Sequence, residues 1–344
     1  MGMKLFGMIL FVGSLATGLA PASAADDPTA NEESERPATD VAEDTATHRE
    51  IGPLSIEFKR LTALRIDLDG NLLASDGDTK QIKVIGSDGK QSRTIELPFA
   101  PEAIDVAPDG VIYCGGEGRI AQLDADGKIL KTIDVPSTAD TAVSETSVRR
   151  AEICKVTLAL RVSGIAVSKR YVFATFGTGW STVAKAKLFR FDRNLENPKM
   201  LAENLRGCCM RCDLVTDGRI VYLAENSAHR VVGYNRNGKQ LSAWGSRSRE
   251  GLEGFGACCN PMNVCFDGDG VLYTAESGLG RIKRYSKQGE MLSLVGYVDT
   301  DRFTSGGAHA ASCSNMAVAV TPDGSRIYVM DYNHNKIRVL QKKD

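Results

Sequence analysis

The chain predicts an all-β fold, a six-bladed β-propeller of four-stranded antiparallel blades, from three observations. Asp-Gly dipeptides recur at Asp69-Gly70, Asp109-Gly110, Asp217-Gly218, Asp269-Gly270 and Asp323-Gly324, with 40, 108, 52 and 54 residues between successive glycines. Within a unit a second turn follows at Gly89, Gly127, Gly238 or Gly289, at 19, 17, 20 and 19 residues from the first. Short β-rich runs flank each turn, the hairpin signal in which glycine supplies a positive φ. The 108-residue gap hides one degenerate unit, which makes six. Radial repetition of such sheets leaves only short, protected strand edges.

The first 24 residues read as a secretory signal. Lys4 precedes an apolar stretch from Leu5 to Leu19, and Ala22-Ser23-Ala24 forms a small-residue cleavage site. This stretch is too short to span a bilayer, so no transmembrane span is expected after its removal. The segment holds no cysteine to carry a lipid and no Arg-Arg pair, which points to export in an unfolded state. A secreted or periplasmic location follows as an expectation. Residues 25–50 carry nine acidic side chains against Arg36 and Arg49 and almost no large apolar group, so they read as a solvated acidic spacer. Residues 51–344 then divide into six units of 49, within the length range of propeller blades.

After the first turn of each unit, strands are predicted at Asn71–Ser75, Val111–Cys114, Ile220–Ala224, Val271–Ala275 and Ile327–Met330. After the polar loop they are predicted at Gln81–Ile85, Arg119–Leu123, Arg230–Tyr234, Arg281–Tyr285 and Lys336–Leu340. The degenerate unit contributes Tyr171–Thr175 and Lys187–Phe191, separated by a loop with Gly177, Gly179 and Trp180. The last unit stops after its third strand, and Leu54–Lys59, a spare β-rich run ahead of the first unit, is the expected fourth strand that closes the ring. Net charge is −1 and no Lys/Arg block stands out, so nothing supports nucleic-acid binding.

The segments GVLYTAESGLGRIKRYSKQG, RIVYLAENSAHRVVGYNRNG and RIYVMDYNHNKIRVL resemble the NHL-repeat family of β-propellers, and the likeness extends over most of residues 55–341. The resemblance implies a six-bladed propeller. It also implies a choice of functions, since related propellers include binding scaffolds and also amidating lyases and lactonases with a metal at the axial mouth. Those enzymes hold the metal with histidine and carboxylate, whereas the inner strands here offer mainly cysteine and asparagine.

Strands in a blade alternate in direction, so the Asp-Gly turns share one face with the turns between third and fourth strands. Loops between second and third strands, and the connections between blades, open on the other face. That face receives Glu225, His229, Glu276, Asp331 and His334, and long connections at 138–152, 245–257 and 297–312. Loops on a rigid scaffold are the usual place for function.

Nine cysteines remain after signal removal, an odd number that leaves at least one unpaired within the chain. Cys259 lies 11 residues before Gly270, Cys313 lies 11 before Gly324, and Cys209 lies 9 before Gly218; Cys154 opens the degenerate unit. The spacing gathers Cys208, Cys209, Cys258, Cys259 and Cys313 at the start of the innermost strands, with Cys154 and Cys212 nearby and His309 a further ligand candidate. Thiolates so gathered suit a soft metal, copper or zinc, with an iron–sulfur cluster a poorer match to unfolded export. Export to an oxidising compartment favours disulfides between adjacent blades instead, and buried free thiols also stay open at this stage.

His229 and His334 stand as rim metal ligands or acid–base groups, or else as exposed histidines beside acids that cap their own loops. Asn263 and Asn315 line the channel or satisfy neighbouring backbone. Trp180 and Trp244 are expected to pack between blades. No serine-nucleophile, zinc-protease, phosphate-loop or dinucleotide motif occurs in a fitting context. The expectation is a monomeric exported binding scaffold for a protein or small-molecule ligand on the cysteine-rich face, with a metal-dependent lyase or lactonase-like hydrolase as the alternative.

Overall fold

Six four-stranded antiparallel sheets make up the computed structural model of the protein, which describes residues 45–136, 160–177, 185–208, 211–248, 251–256, 259–298 and 316–344. All of these belong to the unit Ala38–Asp344. Blade 1 holds β2 (Leu61–Ile66), β3 (Leu72–Asp76), β4 (Gln81–Ile85) and β5 (Gln91–Glu96). Blade 2 holds β6 (Ala103–Val106), β7 (Ile112–Gly116), β8 (Arg119–Leu123) and β9 (Ile129–Asp134). Blade 3, the degenerate unit, holds β10 (Arg161–Val167), β11 (Tyr171–Gly177), β12 (Lys185–Asp192) and β13 (Lys199–Arg206). Blade 4 holds β14 (Leu214–Thr216), β15 (Ile220–Glu225), β16 (Arg230–Asn235) and β17 (Gln240–Trp244). Blade 5 holds β18 (Asn263–Phe266), β19 (Leu272–Glu276), β20 (Arg281–Tyr285) and β21 (Met291–Tyr297). Blade 6 holds β22 (Val318–Val320), β23 (Arg326–Asp331) and β24 (Lys336–Lys342), completed by β1 (His48–Pro53).

The first strand of each blade touches the first strand of the next, all the way round, which places β2, β6, β10, β14, β18 and β22 on the central axis. Blades then pack face to face. Six apolar clusters result, one at each blade interface, because both faces of every sheet are covered and the middle strands read as nearly continuous apolar runs. Tyr113, Tyr222 and Tyr273, at matching places in β7, β15 and β19, are almost fully buried.

The turn chemistry is as the repeats demand. Gly70, Gly110, Gly218, Gly270 and Gly324 all have positive φ, between +65° and +89°. In blades 1 and 5 the capping carboxylate is the earlier acid of the turn, not the one beside glycine: Asp67 Oδ1 accepts the N–H groups of Asp69 and Asn71, and Asp267 Oδ1 those of Asp269 and Val271.

Ring closure by an N-terminal strand holds, but the strand lies further upstream than Leu54–Lys59. β1 pairs antiparallel with β24, from His48 opposite Lys342 to Pro53 opposite Arg338. His48 is buried there, donating from Nε2 to the Gly324 carbonyl at 2.9 Å. Leu54–Lys59 instead carries the chain from the outer edge of blade 6 back to the axis. Leu54 N–H still bonds the Ile337 carbonyl, Phe58 packs between blades 6 and 1, and Lys59 N–H reaches Asp76. The pattern of alternating apolar residues is real, but the distance to be crossed decides its use. Residues 48–50, read above as spacer, therefore belong to the propeller.

A close approach fixes Gly116 at the end of β7. A Cβ there would sit 1.9 Å from the Ala100 carbonyl oxygen, where the connection into blade 2 crosses the strand. Gly116→Ala is expected to lower stability by roughly 1–3 kcal/mol through overpacking, read as a lower denaturation midpoint at unchanged slope.

Candidate functional site

Polar side chains line the axis, and the repeat dictates where. The first turn of each blade begins at Asp67, Ala107, Ser168, Asp217, Asp267 or Thr321, whose N–H closes the hairpin. Four residues earlier stand Ala63, Ala103, Gly164, Asp213, Asn263 and Ala317. Asp213 and Asn263 are thus equivalent, and each accepts the inner-strand N–H of the following blade: Val264 to Asp213 Oδ2 at 3.0 Å, Val318 to Asn263 Oδ1 at 2.9 Å. Asn263 Nδ2 also donates to Asp213 Oδ2 at 2.6 Å. Burial pushes the Asp213 carboxyl up to about 7, against the pull of two backbone N–H groups and of Arg211 and Arg65.

Nearer the turn face, Arg65 Nε pairs with Asp105 Oδ1 at 2.6 Å, while Asp105 Oδ2 accepts Val167 N–H at 2.7 Å. Burial raises the Asp105 pKa, with Arg65 the main opposing charge. Nearer the loop-rich face, Glu102 pairs with Arg161 and accepts Val162 N–H at 3.3 Å. Arg211 stands beside them, its guanidinium donating among the described residues to the Glu102 carbonyl alone, at 3.4 Å. Arg65, Glu102, Arg211, Asp213 and Asn263 border a cavity of about 30 Å³, lined also by Thr62, Ser163, Cys265, Met262 and Met316. That is room for a water molecule or two.

Some of the sequence-singled residues converge and others do not. Cys208 and Cys259 are buried in one cluster with Cys265, Met262 and Met316, at the interface of blades 5 and 6. Asn226 ties them locally, accepting Cys208 N–H at 2.6 Å and donating to the Met262 thioether at 3.3 Å. Cys212 points elsewhere, into the cluster between blades 3 and 4, and Cys114 lies between blades 1 and 2. Burial raises the thiol pKa of Cys114 and Cys265 to about 12 and that of Cys212 further, so these three stay protonated at neutral pH. No disulfide joins two of the described cysteines. Cys154, Cys209, Cys258, Cys313, His309, Asn315 and Trp180 lie outside the described residues.

The acids at the ends of the second strands are buried and engaged. Glu225 accepts Arg206 N–H at 3.0 Å and pairs with Arg230 at 2.5 Å, which pins the connection from blade 3. Asp331 binds His334 Nδ1 and Arg338 Nε, both at 2.8 Å, and caps its own loop through His334 N–H. Glu276 accepts Gly256 N–H at 2.9 Å, pairs with Arg281 at 2.7 Å and with Lys283 at 2.9 Å. All three therefore hold loops in place, and none presents a free carboxylate to the loop-rich face. His229 is not exposed: it is buried in the left-handed region, φ +54°, with Nδ1 unbonded. Burial, then Arg247 and Arg206, lowers its pKa. His334 is exposed, beside the buried Asp331. Trp244 packs between blades 4 and 5, its ring 4.8 Å from that of Tyr285.

A metal held by convergent histidine and carboxylate, as the family resemblance implies, does not match these side chains. Among the described residues no three His, Cys, Asp or Glu groups converge, and Glu102, Asp105 and Asp213 are each engaged by arginine, asparagine or backbone. Arg65, Glu102, Asp105, Arg161, Arg211 and Asp213 were not singled out by sequence reasoning. Aligning the six units on their hairpin-closing residues would have shown Asp213 to be the counterpart of Asn263.

Fold and axis together define a six-bladed β-propeller with a polar, narrow channel. Solved structures agree with that class. A gluconolactonase from Xanthomonas campestris matches with a TM-score of 0.56 at 12% identity, covering 89% of this chain and 93% of its own. Regucalcin, a calcium-binding protein from Agrobacterium tumefaciens, matches with 0.54 at 12% identity over 87% and 96%. A streptogramin B lyase matches with 0.52 at 11% identity over 88% and 99%. No protein-family model matches the chain, and no curated protein sequence matches it. Among the described residues no helix is long and apolar enough to cross a membrane.

Proposed function

We propose that this protein is an exported β-propeller of the NHL-repeat kind that binds a ligand or protein partner on its loop-rich face, at the mouth of the axis. Residues 1–24 serve as signal and the acidic stretch after them as spacer, which places the propeller outside the cytoplasm as a secreted or periplasmic monomer. The observation that carries this reading is the asymmetry of the axis. Polar side chains with some solvent access, Arg161 and Arg211 foremost, gather at the loop-rich end, while the acids of the opposite face are spent on their own turns. The cavity behind them is too small for a whole substrate, so the ligand would sit on the mouth with only its tip inside.

A second reading has its own support. Cys208 and Cys259 share a cluster with the thioethers of Met262 and Met316, and thiolate with thioether is the donor set of a soft metal such as Cu(I). The lyase or lactonase-like hydrolase alternative is supported by fold alone.

Protein purified from its native host is expected to carry a small molecule or partner that is lost from Arg211→Glu and kept by Arg236→Glu, an exposed arginine on the turn face. Mass spectrometry of the released material checks this. Retention by the Arg211 variant with loss from the Arg236 variant overturns it. Copper or zinc on the same sample, lost on Cys259→Ser, would favour the thiolate site, and lactone turnover would favour the hydrolase.

A further inference from the structure

The mouth of the axis carries a charge imbalance. Arg65 has Asp105 and Arg161 has Glu102, but among the described residues Arg211 has no ion pair. Among the described residues its guanidinium makes one hydrogen bond, the long one to the Glu102 carbonyl at 3.4 Å. A guanidinium has five N–H donors in a planar fork, so most of this one's donor capacity is unused.

Surroundings make the imbalance costly. Burial comes first in lowering the Arg211 pKa and the like charge of Arg161 second, with Glu102, Asp213 and Tyr332 opposing them. Asp213 is already bonded to Asn263 and to the Val264 N–H, and it makes no ion pair with Arg211. A half-buried arginine with a second arginine beside it and a free fork is what recognition of a planar oxyanion requires. Arg211 keeps partial solvent access from the loop-rich side, and Tyr332, one of the few exposed large apolar side chains, stands near it on the blade 6 loop.

We infer that the axial mouth is an anion site, in which the Arg211 fork, backed by Arg161, receives a carboxylate carried by the ligand. The inference rests on the mouth being the binding face and adds the chemical class. The cavity of about 30 Å³ admits the carboxylate end only. Nothing larger enters, so the rest of the ligand lies across the loop-rich face, where the Tyr332 ring offers an apolar contact.

Acetate is the minimal probe, titrated into the full-length mature protein at fixed ionic strength and followed by NMR shifts of arginine side chains. Saturable binding is expected, weakened about tenfold by Arg211→Gln, as loss of charge-assisted hydrogen bonds requires. Arg211→Lys should fall between, since it keeps the charge and loses the fork. Arg236→Gln, which makes the same change in net charge on the opposite face, should bind as the parent does. Unsaturable binding, or equal binding by parent and Arg211→Gln, overturns the inference. If Arg211→Gln fails to fold, Arg211→Lys binding acetate as tightly as the parent does the same. Phosphate binding preferred over acetate by tenfold or more would also overturn the carboxylate assignment. A native ligand that is neutral yet lost from Arg211→Glu would leave the binding face standing and remove the anion.

Discussion

Glu276→Gln lowers the unfolding free energy by about 3–5 kcal/mol, because it strands two buried cations at once. The Lys283 ammonium and the Glu276 carboxylate are both fully buried, and Arg281 beside them is nearly so. Lys283 donates to the carbonyls of Leu252 and Gly254 and lies 5.0 Å from the Phe255 ring centroid. Burial depresses its pKa to about 8, with Glu276 opposing and Arg281 reinforcing the shift. The carboxylate also accepts Gly256 N–H, so its loss loosens the connection that crosses the blade. Denaturant unfolding of the variant checks the magnitude. A companion triple replacement, Glu276→Leu with Arg281→Met and Lys283→Met, is expected to recover most of the loss, because the penalty belongs to unpaired charge rather than to missing attraction. A loss below about 1 kcal/mol for Glu276→Gln would show that water reaches the triad.

Asp213→Asn raises stability at neutral and alkaline pH and leaves it unchanged near pH 4. In the unfolded chain this carboxyl titrates near the ordinary value of 3.8; in the folded one, at about 7. Between those values the native state holds a proton that the unfolded state has released, so stability falls as pH rises through the window. Above it both states are ionised and the whole burial penalty is present. Asparagine is uncharged throughout and its amide oxygen can accept the same Asn263 and Val264 donors. The difference between variant and parent should therefore grow from nothing at pH 4 to roughly 2–4 kcal/mol at pH 8. Melting temperatures of the two proteins across that range decide it; a constant offset would mean that Asp213 ionises as an ordinary aspartate. Comparing the two cancels His48, whose pKa is lowered mainly by burial and which removes stability from both alike in acid.

Much of the scaffold could be read from the residues because its rules are local. Gly70 and its counterparts need positive φ, and strands such as Gln81–Ile85 and Arg119–Leu123 follow directly from where the turns fall. Leu54–Lys59 alternates like the closing strand yet is not one, for a reason that no periodicity reveals: alternation says that a segment is extended, not which neighbour it pairs with. The site was harder. Histidines and acids at loop tips draw attention by residue type, yet Glu225, Glu276 and Asp331 turn out to fasten loops, since a buried carboxylate takes whatever N–H and guanidinium groups lie in reach. Arg211 and Asp213 carry no pattern of their own, flanking Cys212 in a segment dominated by its cysteines. Their role depends on six strands meeting at one axis, which is a property of the ring rather than of any single unit.

β1 comes before the whole propeller in the chain and is paired with β24, its last strand. Linear repeat arrays unravel from an end unit, which has one neighbour instead of two. Here no blade is an end unit. His48 and Lys342 face each other across the seam, so every blade leans on two others and local fraying has nowhere to begin. Opening therefore means unzipping this one ladder, whose strands are almost 300 residues apart in sequence. Such a contact forms late, because the loop it closes is long. The protein should thus gain its resistance to proteases in a single late step, when its first strand finds its last.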